Sequence, residues 1–200
     1  ALQRYVIEHT RLGIPLFLAE EAPHGHMAIG TTVFPTGLGM AATWSTATAE
    51  AAARVTAKEV RLQGAHMSYG EDPVLTGEMG AAIVRGLGGG KLSAPYATLA
   101  TLKHFIAYGT TEGGQNGNPS IVGERDLLQT FFPPFKKAVD AGALSVMTSY
   151  NSLDGIPSTA SGELYNDILR RQWGFRGFVV SDLYSIDGIW ETHHVARDLQ

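Results

Sequence analysis

Gly177-Phe178-Val179-Val180-Ser181-Asp182 is the stretch on which the reading of this chain turns. Phe178, Val179 and Val180 run on without polar alternation, the pattern of a strand covered on both faces in a parallel sheet. The run delivers a carboxylate to its own carboxyl end. Upstream, residues 162–172 read as a helix that stops at Trp173-Gly174, where glycine can take the left-handed backbone that closes a helix. Helix, glycine turn, strand and acid make one repeat of an α/β fold, with the polar residue where α/β enzymes keep their chemistry. Two roles for Asp182 stand open on spacing alone: a nucleophile, or a cap on the helix that follows.

Composition narrows the classes. The chain has 200 residues, 44% of them apolar, and few charges, which suits one packed domain. A net charge of −4 with no block of Lys or Arg argues against capture of nucleic acid or of an anionic membrane. No apolar run approaches the roughly 20 residues of a membrane span, and the first residues lack a signal-peptide pattern. With no Cys at all, disulfides, thiolate metal sites and thiol nucleophiles drop out.

Along the chain, strand-like and helical runs alternate. Expected strands cover 14–19, 65–68, 98–105, 143–149 and 177–181; expected helices cover 2–11, 45–63, 74–87, 124–132, 135–140 and 162–172, with another from Ser185 onward. Pro133-Pro134 is expected to break or kink the helix over 124–132. Residues 108–122 hold four Gly and two Asn, a long loop of the functional or mobile kind. Repeated β then α implies parallel strands with right-handed crossovers. Five strands leave two architectures open, an open sheet or part of an eight-stranded barrel.

The residues at the strand ends are the chemistry. The first strand leads into Glu20-Glu21-Ala22-Pro23-His24-Gly25-His26, the third ends in Lys103-His104-Phe105, the fourth in Ser149-Tyr150-Asn151, and the fifth in Ser181-Asp182. Carboxylate, ammonium, imidazole and phenol converging on one face suit a sugar, whose hydroxyls each need a donor or acceptor and whose anomeric carbon needs negative charge beneath it. Competing roles are a Schiff-base Lys103 in an aldolase-like enzyme, an HxH metal pair at His24 and His26 without an evident third ligand, or hydrogen-bonded loop histidines there. Glu71-Asp72-Pro73 reads as a helix start. Trp173 and Phe175 read as core.

Seven motifs in order resemble glycoside hydrolase family 3, in its β-glucosidase and β-xylosidase branch. They are Arg11-Leu12-Gly13-Ile14-Pro15, the acid with His24-Gly25, Thr32-Val33-Phe34-Pro35, Tyr69-Gly70-Glu71-Asp72-Pro73, Lys103-His104-Phe105, Met147-Thr148-Ser149-Tyr150-Asn151 and Gly174 through Asp182. The resemblance implies a (β/α)8 TIM-barrel fold, incomplete here, with residues 1–200 forming a portion of one catalytic barrel domain. It implies that Asp182 is the nucleophile of a retaining exo-acting β-glycosidase, that Lys103 and His104 hold sugar hydroxyls near the anomeric carbon, that Glu21 grips hydroxyls at the far edge of the ring, and that Tyr150 stands near the nucleophile.

Departures matter as well. Between Ala65-His66 and Tyr69-Gly70 relatives carry a further segment with a sugar-binding Arg, and where they often have Trp after the nucleophile this chain has Leu183. The family's general acid/base comes from later in the polypeptide, and Glu112 is the one carboxylate of the 108–122 loop. The resemblance therefore implies a small carbohydrate substrate, further domains of a longer polypeptide, a periplasmic or secreted setting, and no cofactor. A truncated sugar-binding barrel without hydrolysis is the alternative.

Overall fold

The computed structural model describes residues 2–69 and 77–197. Helix α1 (Leu2–His9) leads by an extended segment to strand β1 (Ala19–Glu21) and then to α2 (Gly37–Ala41) and α3 (Thr46–Leu62). Next come β2 (Met67–Tyr69), α4 (Gly77–Gly88) and β3 (Leu99–Phe105). The helical segment α5 (Glu124–Asp126) passes through a π-helical turn (Leu127–Phe131) into α6 (Phe132–Asp140). It is followed by β4 (Ser145–Thr148), the hairpin β5 (Ser152–Leu153) and β6 (Ile156–Pro157), a π-type helix (Glu163–Gln172), β7 (Phe178–Val180) and α7 (Gly188–Glu191).

Strand order settles the architecture. The sheet runs β1-β2-β3-β4-β7 with every pairing parallel. Neighbours in sequence are neighbours in space, without the reversal of order that marks a doubly wound sheet, so the fold is α/β of the TIM-barrel type. Five of its strands lie among the described residues. The sheet also curls, because Phe17 just ahead of β1 meets Phe178 of β7 edge to face, 6.1 Å between ring centres.

The core lies between the sheet and its helices. Phe105 at the end of β3 is wholly buried, and its ring meets Phe132, Phe135, Tyr165 and Trp173 at 5.0 to 6.0 Å. Burying such a ring contributes about 2–3 kcal/mol. Phe175 is buried in the same cluster with Trp173 packed against it, as expected. Helix α3 shows how local sequence sets an element: Ser45 caps it, its hydroxyl accepting from the Thr48 N–H, and Ala49, Ala53 and Ala57 form the buried face against which α4 packs.

Several expectations need correction. Residues 14–18 are not strand, because the Gln3 side chain takes both the N–H and the C=O of Leu16 at 2.7 and 2.6 Å; β1 starts only at Ala19. Pro133-Pro134 does not break its helix, because the chain widens into a π turn just upstream and the prolines then open α6, where a missing N–H costs little. The hairpin β5–β6 was not foreseen, although Asp154-Gly155 is a hairpin-turn dipeptide and both residues have positive φ, 47° and 79°. Strand β7 is not covered on both faces: Phe178 is 40% exposed. Residues 74–76 of the third expected helix, like Glu71, Asp72 and Pro73, lie outside the described residues.

Candidate active site

Register decides which side chains meet at the carboxyl edge of the sheet. Glu21 lies level with Tyr69, Tyr69 with Thr101, Thr101 with Ser145, and Ser145 with Phe178. Glu21, Lys103, His104, Tyr150 and Asp182 thus all fall on one rim.

A regular strand would send Lys103 and His104 to opposite faces, since side chains alternate. The β3–β4 pairing shifts register between Leu102 and Phe105, and such irregularities re-aim side chains. Both neighbours then serve the rim. His104 Nε2 lies 3.1 Å from Asp182 Oδ2, with the two side chains only 10% and 15% exposed. A carboxylate can only accept, so the shared proton sits on Nε2. The other oxygen, Oδ1, accepts from the Leu183 N–H at 2.7 Å. Asp182 is thereby held at both oxygens.

Lys103 carries its ammonium to Glu21, 3.5 Å from each carboxylate oxygen. The lysine side chain is 8% exposed and the glutamate 59%, so this is a nearly buried cation facing a wet anion. Water screens the attraction, and the pair is worth at most about 1 kcal/mol. Its effect is to hold an amine and a carboxylate together at the rim.

Tyr150 stands beside the nucleophile candidate. Its hydroxyl donates to the Leu183 carbonyl at 2.6 Å, and the Asp182 carboxylate is a second acceptor for the same proton. Burial first, then the bond to Asp182 and its negative charge, push the phenol up to about 12. It remains a donor throughout the neutral range. Two further contacts fix it: the His193 ring nitrogen Nε2 meets the Tyr150 carbonyl at 2.7 Å, and wholly buried Asn151 donates to Ile106 O and Ser120 Oγ at 3.1 and 3.0 Å. Asn151 is a staple between strand ends, which is why Tyr150 points where it does.

Other sequence candidates fare differently. His26 is 4% exposed with neither ring nitrogen hydrogen bonded, and His24 Nδ1 is likewise unpaired among the described residues, so the expectation of hydrogen-bonded loop histidines is not met. The backbone is what bonds there, Phe34 N–H to His24 O at 2.8 Å. No group of three His, Cys, Asp or Glu that could hold a metal occurs among the described residues. Glu112 lies in a short turn (Glu112–Gly114), its N–H on the Pro119 carbonyl at 2.9 Å.

Sequence reading passed over Tyr108, whose ring centre lies 4.8 Å from that of His104 and 6.0 Å from that of Tyr150. It also passed over Thr148, which receives the Asp182 N–H at 3.4 Å and touches Thr159 and Ser185 through the same hydroxyl. The only signal for Tyr108 was its place just after the Lys-His strand, inside a loop read as functional or mobile.

The family model described as "Glycosyl hydrolase family 3 N terminal domain" matches residues 1–69 and 65–199. Both pieces include residues 65–69. A periplasmic β-glucosidase of Salmonella typhimurium is 35% identical over 200 residues, covering 90% of this chain and 26% of the relative. A putative β-xylosidase of Formosa agariphila is 33% identical over 218 residues, covering 98% of this chain and 29% of the relative. The crystal structure of a β-glucosidase from Listeria innocua in complex with gluconolactone superposes with a TM-score of 0.90 at 31% identity, over 98% of this chain and 30% of that one. The chain thus spans under a third of these relatives' length.

Proposed function

Because the chain belongs to glycosyl hydrolase family 3, we propose that it is a portion of the catalytic barrel domain of a retaining, exo-acting β-glycosidase. The substrate is a glycoside or oligosaccharide ending in β-linked glucose or xylose. The observation that carries this reading is the partly buried His104–Asp182 pair at 3.1 Å on the rim where Lys103, Glu21 and Tyr150 also stand.

Asp182 attacks the anomeric carbon, a C1–O bond forms as the bond to the aglycone oxygen breaks, and water later releases the sugar with its original configuration. The Leu183 N–H and His104 hold the carboxylate in line for that attack. Lys103, His104 and Glu21 bind ring hydroxyls, and Tyr150 donates beside the reacting centre. Protonation of a poor leaving group needs a second carboxyl group. Glu21 reaches the rim as the partner of Lys103, so the acid/base is supplied from outside these residues, by a further part of a longer polypeptide. A periplasmic or secreted setting agrees with the name of the Salmonella relative.

Proton NMR of an aryl β-glucoside and an aryl β-xyloside during hydrolysis tests the reading. The β-anomer of the free sugar appears first if configuration is retained; first appearance of the α-anomer overturns the mechanism. A second reading, sugar binding without hydrolysis, follows from there being no assigned acid/base on the rim among the described residues. Glucose or xylose binding with no release from even dinitrophenyl glycosides would support it.

A further inference from the structure

We propose that Tyr108 is a positioning residue that holds the His104 imidazole on Asp182 and closes the aromatic wall begun by Tyr150. The proposal rests on the glycosidase reading above and assigns a role to a residue outside the strand-end motifs.

Three observations support it. First, contact: the Tyr108 ring lies 4.8 Å from His104 at an angle of 54°, while the imidazole Nε2 is 3.1 Å from Asp182 Oδ2. The imidazole is thus set between a carboxylate and an aromatic ring. A ring at that distance restricts rotation of the imidazole about its own side-chain bonds, and its electron-rich face favours the imidazole's positive edge.

Second, the backbone is bent to put the ring there. Ala107, directly before Tyr108, has φ of 61°, a left-handed conformation that a residue with a Cβ adopts at a cost of about 1 kcal/mol. The conformation is held by its surroundings: the Ala107 carbonyl accepts from Ser120 Oγ at 3.0 Å, Thr110 Oγ1 at 2.8 Å and Thr110 N at 3.2 Å, and Ala107 itself is 4% exposed. A turn fixed this firmly at the end of β3 sets the direction of Tyr108.

Third, continuity: Tyr108 is 6.0 Å from Tyr150, whose hydroxyl bonds to Leu183 O next to Asp182. His104, Tyr108 and Tyr150 form one connected wall around the carboxylate. Ser120, which anchors Ala107, also accepts from Asn151, the residue that fixes Tyr150, so both tyrosines are set by one buried network.

The test uses the full-length polypeptide, with Tyr108→Leu and Tyr108→Phe, and a dinitrophenyl 2-deoxy-2-fluoro-β-glucoside as the trapping reagent. In Tyr108→Leu the first-order trapping rate constant should fall about tenfold while the reagent's dissociation constant stays within about twofold, and Tyr108→Phe should recover most of the rate. The loss should shrink to under about twofold when Tyr108→Leu is placed on a His104→Gln background, because the ring then has no imidazole to hold. Equal losses on both backgrounds, or a loss confined to the dissociation constant, overturn the proposal. Should the wild type take no label, the glycosidase reading fails, and the His104 ring-proton resonances decide on Tyr108 alone. An upfield ring-current shift that Tyr108→Phe keeps and Tyr108→Leu removes sustains the positioning role; resonances unmoved by Tyr108→Leu refute it.

Discussion

His104 Nε2 sits 3.1 Å from Asp182 Oδ2 across the gap between β3 and the end of β7, two strands that do not pair with each other and are separated by β4. A contact that spans a strand is made inside the curve of the sheet, at its rim.

Replacing His104 with Phe removes the donor while keeping a flat ring. Loss of one preorganised hydrogen bond to a reacting carboxylate is expected to lower kcat/KM for an aryl β-glucoside by about 10²-fold. Steady-state kinetics measure it, with circular dichroism to show that the fold persists. A change of under about threefold would place the pair outside the reaction.

Lys103→Met separates binding from stability. Glu21 is 59% exposed, so its pair with Lys103 is screened by water and adds little to stability. Thermal unfolding should therefore show a stability change within about 1 kcal/mol. KM should rise at least about tenfold if the amine binds sugar hydroxyls. A large loss of stability with unchanged KM would make Lys103 purely structural.

Gly177→Ala tests the strand that carries Asp182. An added Cβ would fall inside the contact distance of the Leu144 carbonyl oxygen, the acceptor of the Phe178 N–H at 3.0 Å. Backbone cannot yield as a side-chain tip does, so the β4–β7 pairing must open, with a loss of about 2 kcal/mol or more. Urea unfolding of the variant and wild type measures the difference, and equal midpoints would show that β7 is placed otherwise.

Alkaline stability follows from two phenols, Tyr150 half-buried and Tyr165 buried. Tyr150 is pushed up to about 12 and Tyr165 is raised further, in both cases with burial as the largest cause. Between the unfolded value near 10 and the folded value, the unfolded chain has lost a proton that the folded chain keeps. Stability is then fully present below about pH 10 and falls as pH rises through the folded values. Tyr165→Phe removes one of the two groups, together with its hydrogen bond to Phe105 O at 3.1 Å, and should make the decline between about pH 10 and 12 shallower. An unchanged slope in urea titrations across that range would contradict the burial of Tyr165.

What could be read from the sequence was mostly what depends on short-range pattern. Helix α3 begins after Ser45 and ends at Leu62 as its cap and alanine face dictate, and β3, β4 and β7 lie within the runs expected for them, while β2 extends one residue past its run, to Tyr69. Strand-end position singled out Glu21, Lys103, His104, Tyr150 and Asp182, and the contacts bring them together in pairs. The misses have two physical causes, partners far along the chain and a local change of helix geometry. Gln3 reaches 13 residues to occupy Leu16, and a π turn absorbs Pro133 and Pro134 before they can break the helix. Tyr108 meets His104 only because Ser120 and Thr110 hold Ala107 in a left-handed turn, and no periodicity announces that.

The central claim is that Asp182 becomes covalently bonded to sugar. A dinitrophenyl 2-deoxy-2-fluoro-β-glucoside suits its test, because the leaving group departs without protonation and the fluorine slows release of the intermediate. Peptide mass spectrometry after incubation should find one fluoroglucosyl group, carried on Asp182, and Asp182→Asn should take none. No adduct at any reagent concentration, or an adduct on another residue, contradicts the account.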